Sequence, residues 1–125
     1  MFTVEYFIKK FEAIPEEKWC MGRITDDQGR HCAMGHCLEK GTVSEELLAL
    51  GRIFNSIVDS SNHNAEIWEV NDGFYLYKEL GDTPKQRILN ALYEVKNQED
   101  SKEAVKFVQS ILNSPVKLLT YETQN

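Results

Sequence analysis

Apolar side chains recur at helical spacing in four stretches of the chain, and each stretch carries its own start signal. Val4, Phe7, Ile8, Phe11 and Ile14 fall on one face of a helix from about Thr3, its cap, to Ala13, after which Pro15 re-aims the chain. Ser44 followed by Glu45 and Glu46 opens a second helix. Its stripe of Leu47, Leu50, Ile53 or Phe54, Ile57 and Val58 belongs at the centre of the core. Thr83 as cap with Pro84 at the first helical position starts a third, which buries Ile88, Ala91, Leu92 and Val95. Asp100 and Glu103 form a capping box for a fourth, with Ala104, Val105, Val108, Ile111 and Leu112 inward, before Asn113 to Pro115 stop it.

The segments between these helices are less regular. Met21 to His31 holds the turn signal Asp26-Asp27-Gln28-Gly29 beside the short run Gly22 to Thr25, and predicts a small hairpin or looped excursion. Cys32 to Lys40 reads as a short helix rich in small residues, with Gly41 as its terminator and Ala33 and Gly35 allowing close backbone approach. Asp59 to Asn64 is a polar loop, and Ile67 to Tyr77 gathers aromatics around the turn-forming Asn71-Asp72-Gly73. The expected fold is mainly α. It is a compact helical domain spanning residues 1–125, with one irregular or β-hairpin excursion near residues 22–31.

Charge narrows the function classes. A net charge of -6 gives no electrostatic footprint for a nucleic acid or an anionic membrane, so neither is expected as a partner. No run approaches the roughly 18 apolar residues of a membrane span, and Met1 to Lys10 lacks the apolar centre of a signal peptide. With 3 cysteines, an odd number, the chain suits a reducing compartment, and the expected location is the cytoplasm, of a bacterium or of a phage's host.

All the cysteines and two of the histidines lie between Trp19 and Cys37, as Trp19-Cys20, His31-Cys32 and His36-Cys37. A structural zinc site would draw on Cys20, Cys32, Cys37 and one histidine, but close Cys-x-x-Cys pairs are missing and adjacent residues diverge on a helix. No metal or other cofactor is therefore expected. A cysteine hydrolase would use Cys32 or Cys20, Cys32 standing where a helix begins, beside Arg30 and His31, with His36 or His63 as base. The third reading makes all three cysteines small packing residues beneath Trp19.

The string Trp19-Cys20-Met21-Gly22, then Gly29, Cys32-Ala33-Met34-Gly35 and Asn71-Asp72 ahead of a helix resembles the Trp-Cys-x-Gly, Cys-Ala-x-Gly and Asn-Asp pattern of a family of small uncharacterised bacterial and phage proteins. The resemblance implies a mostly helical domain and a phage or mobile-element setting. This chain departs from the pattern by inserting Gly73 to Asp82 between Asn-Asp and the helix. A further feature points to a ligand: Lys85 and Arg87 occupy the first turn of the third helix, where free N–H groups ordinarily favour negative charge.

No complete catalytic constellation is written in the sequence, and the expected function is a non-enzymatic binding module. Arg30, His31, His36, Asn71, Asp72, Lys85 and Arg87 are its candidate ligand-binding residues. The partner is a small anionic, nucleotide-like molecule or a protein, and in a phage setting the module would sequester or block a host component. Between Gly41 and Tyr77, Arg52 is the only Lys or Arg, so that stretch would suit a basic protein partner.

Overall fold

The computed structural model of the protein describes residues 1–38, 42–58, 62–98 and the backbone of 105–106, and it is mainly helical. Helix α1 (Val4–Glu12) begins where Thr3 Oγ1 accepts the Tyr6 N–H at 3.1 Å, and it buries Val4, Phe7, Ile8 and Phe11. A 3₁₀ turn (Glu16–Lys18) follows Pro15 and delivers Trp19 into the core. Helix α2 (Ala33–His36) is a single turn with Cys32 at its N-cap. Helix α3 (Glu45–Asn55) is capped by Ser44, whose hydroxyl accepts the Leu47 N–H and donates to the Cys37 carbonyl, tying α3 to the end of α2.

Strand β1 (Ile57–Val58) continues from α3 and pairs in parallel with β2 (Val105–Lys106), Ile57 opposite Val105. Helix α4 (Ile67–Asp72) ends at Gly73, whose φ of +74° is left-handed, and a 3₁₀ stretch (Tyr75–Leu80) leads on to helix α5 (Pro84–Asn97). Thr83 caps α5 by accepting the Gln86 N–H at 3.1 Å. Helix α5 is the central column. It packs against α1 on one side and against α4 and the second 3₁₀ stretch on the other. Its Ile88, Ala91 and Leu92 meet Phe7, Phe11, Leu50, Phe54 and Val70 in one core, and Trp19, at 4 % exposure, closes its edge.

Four expectations change. Helix α3 stops at Asn55, so Ile57 and Val58, expected on its apolar stripe, stand in strand β1 instead, still buried. Val105 and Lys106 form a strand where a fourth helix was expected; the other positions of that helix lie outside the described residues, as does Gly41. Asn71 and Asp72 are not a turn but the last helical positions of α4. Turn-forming chemistry belongs here to Gly73 alone, which takes the left-handed conformation that ends many helices. Of the segment expected as a helix from Cys32 to Lys40, the described residues to Leu38 supply only the four of α2, and Glu39 and Lys40 lie outside the described residues.

Candidate functional site

Asn71 lies at the last turn of α4 with 0 % exposure and holds three separate segments together. Its side-chain carbonyl accepts the Ala33 N–H at 3.0 Å, satisfying a free donor at the start of α2, and its amide nitrogen donates to the Cys20 carbonyl at 3.0 Å. The same nitrogen donates to Asp72 Oδ1 at 2.8 Å, while Asp72 Oδ2 accepts the N–H of Gly22 at 3.0 Å. Gly22 has a φ of +80°, a backbone state that leaves its N–H turned toward Asp72 and that a side chain would strain.

Arg87 completes this clamp from α5. It is 5 % exposed, and Nε and Nη2 both donate to the Asn71 carbonyl, at 3.2 and 2.8 Å, while Nη1 donates to the Gly81 carbonyl at 3.0 Å. A cation at a helix C-terminus is favourable, and this one stabilises the end of α4. Burial lowers the Arg87 pKa, opposed by the charges of Asp72 and Asp82. Gly73 packs flat on the guanidinium: a Cβ there would lie 3.1 Å from Arg87 Nε.

The excursion before α2 is closed by its own bonds. Cys20 N–H donates to the His31 carbonyl and His31 N–H to the Lys18 carbonyl, both at 3.0 Å, and Cys32 N–H donates to the Ile24 carbonyl at 3.0 Å. Asp26 accepts the N–H groups of Gln28 and Arg30 and the Arg30 guanidinium, fixing the turn. Isolated bridges pair Thr25 and Trp19 with His31, so the excursion is a bonded loop with β-like pairing. His31 Nδ1 sits 2.8 Å from Thr25 Oγ1, and its ring lies 5.2 Å from that of His36, which in turn meets Trp19 edge-on at 4.7 Å.

Between this loop and α4 opens a cavity of about 310 Å³, lined by Gly22, Arg23, Ile24, Cys32, Met34, Trp68 and Asp72. A smaller one of about 90 Å³ adjoins it, sharing Met34 and Trp68 and reaching Gly51, Asn55 and Glu66. Trp68 is 44 % exposed although it stands on a helix, and Phe74 meets it edge-on at 5.0 Å. Tyr75, 66 % exposed, continues this aromatic ridge in a left-handed backbone state (φ +57°) uncommon for a bulky residue.

The cysteines are buried and unpaired, and burial raises the pKa of each thiol. For Cys32 the N–H groups of Gly35 and Met34 pull in the other direction but do not offset the loss of solvent, and Cys37 reaches about 12. A helix start ordinarily lowers a thiol pKa, the feature that made Cys32 a candidate nucleophile; here burial outweighs it, because α2 is a single turn. Burial and the neighbouring charges of His31 and Lys10 lower His36 to about 4, and its Nε2 is buried without a hydrogen-bond partner. Among the described residues no group of three or more His, Cys, Asp or Glu is placed to hold a metal ion.

The residues picked out by sequence therefore divide. Asp72 lines the cavity; Asn71 and Arg87 sit behind it and direct their polar groups inward. Arg30 pairs with Asp26, His36 meets the rings of Trp19 and His31 edge-on, and Lys85 donates to the Glu12 carbonyl at 3.1 Å on α1. None of these four lines the cavity of about 310 Å³. Ile24, Met34 and Trp68, the apolar walls, were not among the candidates; the aromatic run from Trp68 to Tyr77 was the signal that pointed to a wall. No helix among the described residues is long and apolar enough to cross a membrane. Comparison of the chain with protein-family models, curated proteins and solved structures found no match in any of the three.

Proposed function

We propose that the chain is a non-enzymatic binding module whose groove between the 20–32 loop and α4 receives apolar side chains of a protein partner. The observation that supports this is the cavity of about 310 Å³ walled by Ile24, Met34 and Trp68 and prolonged by the exposed Phe74 and Tyr75. Exposed, contiguous apolar surface of this kind is characteristic of interaction sites, and aromatic residues dominate their energetics. The geometry favours a protein over a small anion, because Arg87 spends its donors on backbone carbonyls. Raised thiol pKa values likewise give a cysteine nucleophile no support. A surface that caps a partner suits the phage or mobile-element setting implied by the resemblance, where the partner would be a host component.

The test is saturable binding of a neutral environment-sensitive dye, Nile red, to the purified protein. Trp68→Ala should abolish it while leaving the melting temperature within about 2 °C, as expected for an exposed side chain. Unchanged dye binding in Trp68→Ala would overturn the proposal. So would a saturable rise in melting temperature with nucleotides that survives Trp68→Ala, since binding would then lie elsewhere.

A further inference from the structure

We infer that the groove's occupant is a basic amphipathic segment of another protein, with the stem of a lysine or arginine along Trp68 and Met34 and its charged head on Asp72. This rests on the groove being the binding surface, and adds the chemistry of what fills it. The groove is apolar along its walls and carries a carboxylate at each end: Asp72 lines the larger cavity and Glu66 the smaller, with Met34 and Trp68 shared between them.

Among the described residues neither carboxylate is paired with a cation. Each oxygen of Asp72 accepts one N–H, from Asn71 and from Gly22, and a carboxylate oxygen can accept a second donor. Arg87 lies beneath, but its donors go to the carbonyls of Asn71 and Gly81, not to Asp72. Arg23, the cation on the groove wall, stands 3.5 Å from the exposed Asp27, a weak pairing, so the groove's two carboxylates face one cation.

Among the described residues of the 41–77 stretch, Glu46 pairs with Lys10 and the buried Glu69 with His63, so the negative charge at the groove itself is that of Asp72 and Glu66. An exposed indole face adds a cation-binding surface, and a lysine or arginine stem supplies the apolar length such a wall needs. A neutral hydrophobic segment would cover both carboxylates, whose present donors are uncharged N–H groups, without supplying a countercharge, and an acidic one would be repelled; a basic amphipathic segment satisfies the wall and both carboxylates together.

The test titrates the protein with a synthetic helical peptide of leucine and lysine, apolar at i, i+3 and i+4, and with its leucine–glutamate twin. The readout is the emission of Trp68, with the buried Trp19 as constant background. The lysine peptide should bind and the glutamate peptide should not, and binding should weaken as salt rises. Glu66→Gln should weaken it roughly two- to fivefold and Trp68→Ala should abolish it. Asp72→Asn should act like Glu66→Gln in a sample whose melting temperature shows the clamp intact.

Equal affinity for both peptides, or preference for the glutamate one, would overturn the charge assignment while leaving the groove in place. Lysine-peptide binding that ignores Trp68→Ala would overturn it too, since any acidic surface would then suffice. Failure of both peptides to bind, together with dye binding indifferent to Trp68→Ala, would remove the groove itself.

Discussion

Gly35 shows how narrowly single positions are set around the groove. A Cβ on it would lie 2.5 Å from the Ile24 carbonyl oxygen and 2.9 Å from the His31 Cβ, both in the loop that α2 packs against. Gly35→Ala should therefore push the loop away and cost about 1–3 kcal/mol of stability, read by urea denaturation; a change under about 0.5 kcal/mol would mean the backbones do not touch. His36 makes a second residue-scale prediction. Its pKa is lowered from 6.5 to about 4 in the fold, so the unfolded chain binds the extra proton first as pH falls. Stability from this group is complete above about pH 6.5, declines as pH falls toward 4, and levels off below. A His36→Gln variant should lose that part of the slope. An unchanged pH profile in melting experiments would show that the imidazole is not held neutral.

At the scale of elements, α4 is the instructive case. Six residues cannot form a stable helix alone, so α4 depends on how its ends are tied: its own capping box closes the start, Glu69 accepting the Glu66 N–H at 3.0 Å, and Arg87 of α5 takes the Asn71 carbonyl at the finish. Asn71→Ala would leave the Cys20 carbonyl and the Ala33 N–H without their buried partner and should cost about 2–4 kcal/mol. Amide exchange should then accelerate in the 20–32 loop and α2 before it does in α1 or α5. Uniform acceleration would contradict the clamp. Helices α1, α3 and α5 were legible in sequence because each carries several turns of apolar spacing and a Thr or Ser cap whose hydroxyl makes the expected bond. Helix α4 was not, because six residues give little periodicity and Asn-Asp-Gly has the composition of a turn. Residues far apart in the chain prove to be mutually bonded, Asn71 to Cys20 and Ala33 and Asp72 to Gly22, pairings across 38 to 51 residues that no local pattern encodes.

Across the whole molecule the groove meets the core through Met34, which lines both cavities and packs on the core, and through Ala65 and Ile67, core residues that line the smaller one; Trp19 seals the core edge against Phe11 at 5.4 Å and meets His36 edge-on. The site was half legible for this reason. Sequence located the loop and Asp72, but it read Arg87 as a ligand-binding cation at a helix start, where the tertiary fold buries it against backbone carbonyls, and it placed Met34 only at the variable position of a motif. The thiols test how these parts cohere. All three are buried, and their raised pKa values keep them protonated at neutral pH, so a thiol reagent should reach them only when the structure opens. At pH 8 labelling of the native protein should be slow and should follow the opening equilibrium. Trp19→Ala removes a large buried ring and should cost about 3–5 kcal/mol, which raises the open population, and with it the labelling rate, on the order of a hundredfold or more. Stoichiometric labelling within the mixing time, unaltered by Trp19→Ala, would show that the loop opens independently of the core; slow labelling accelerated in step with lost stability would show that loop, groove and core unfold as one unit.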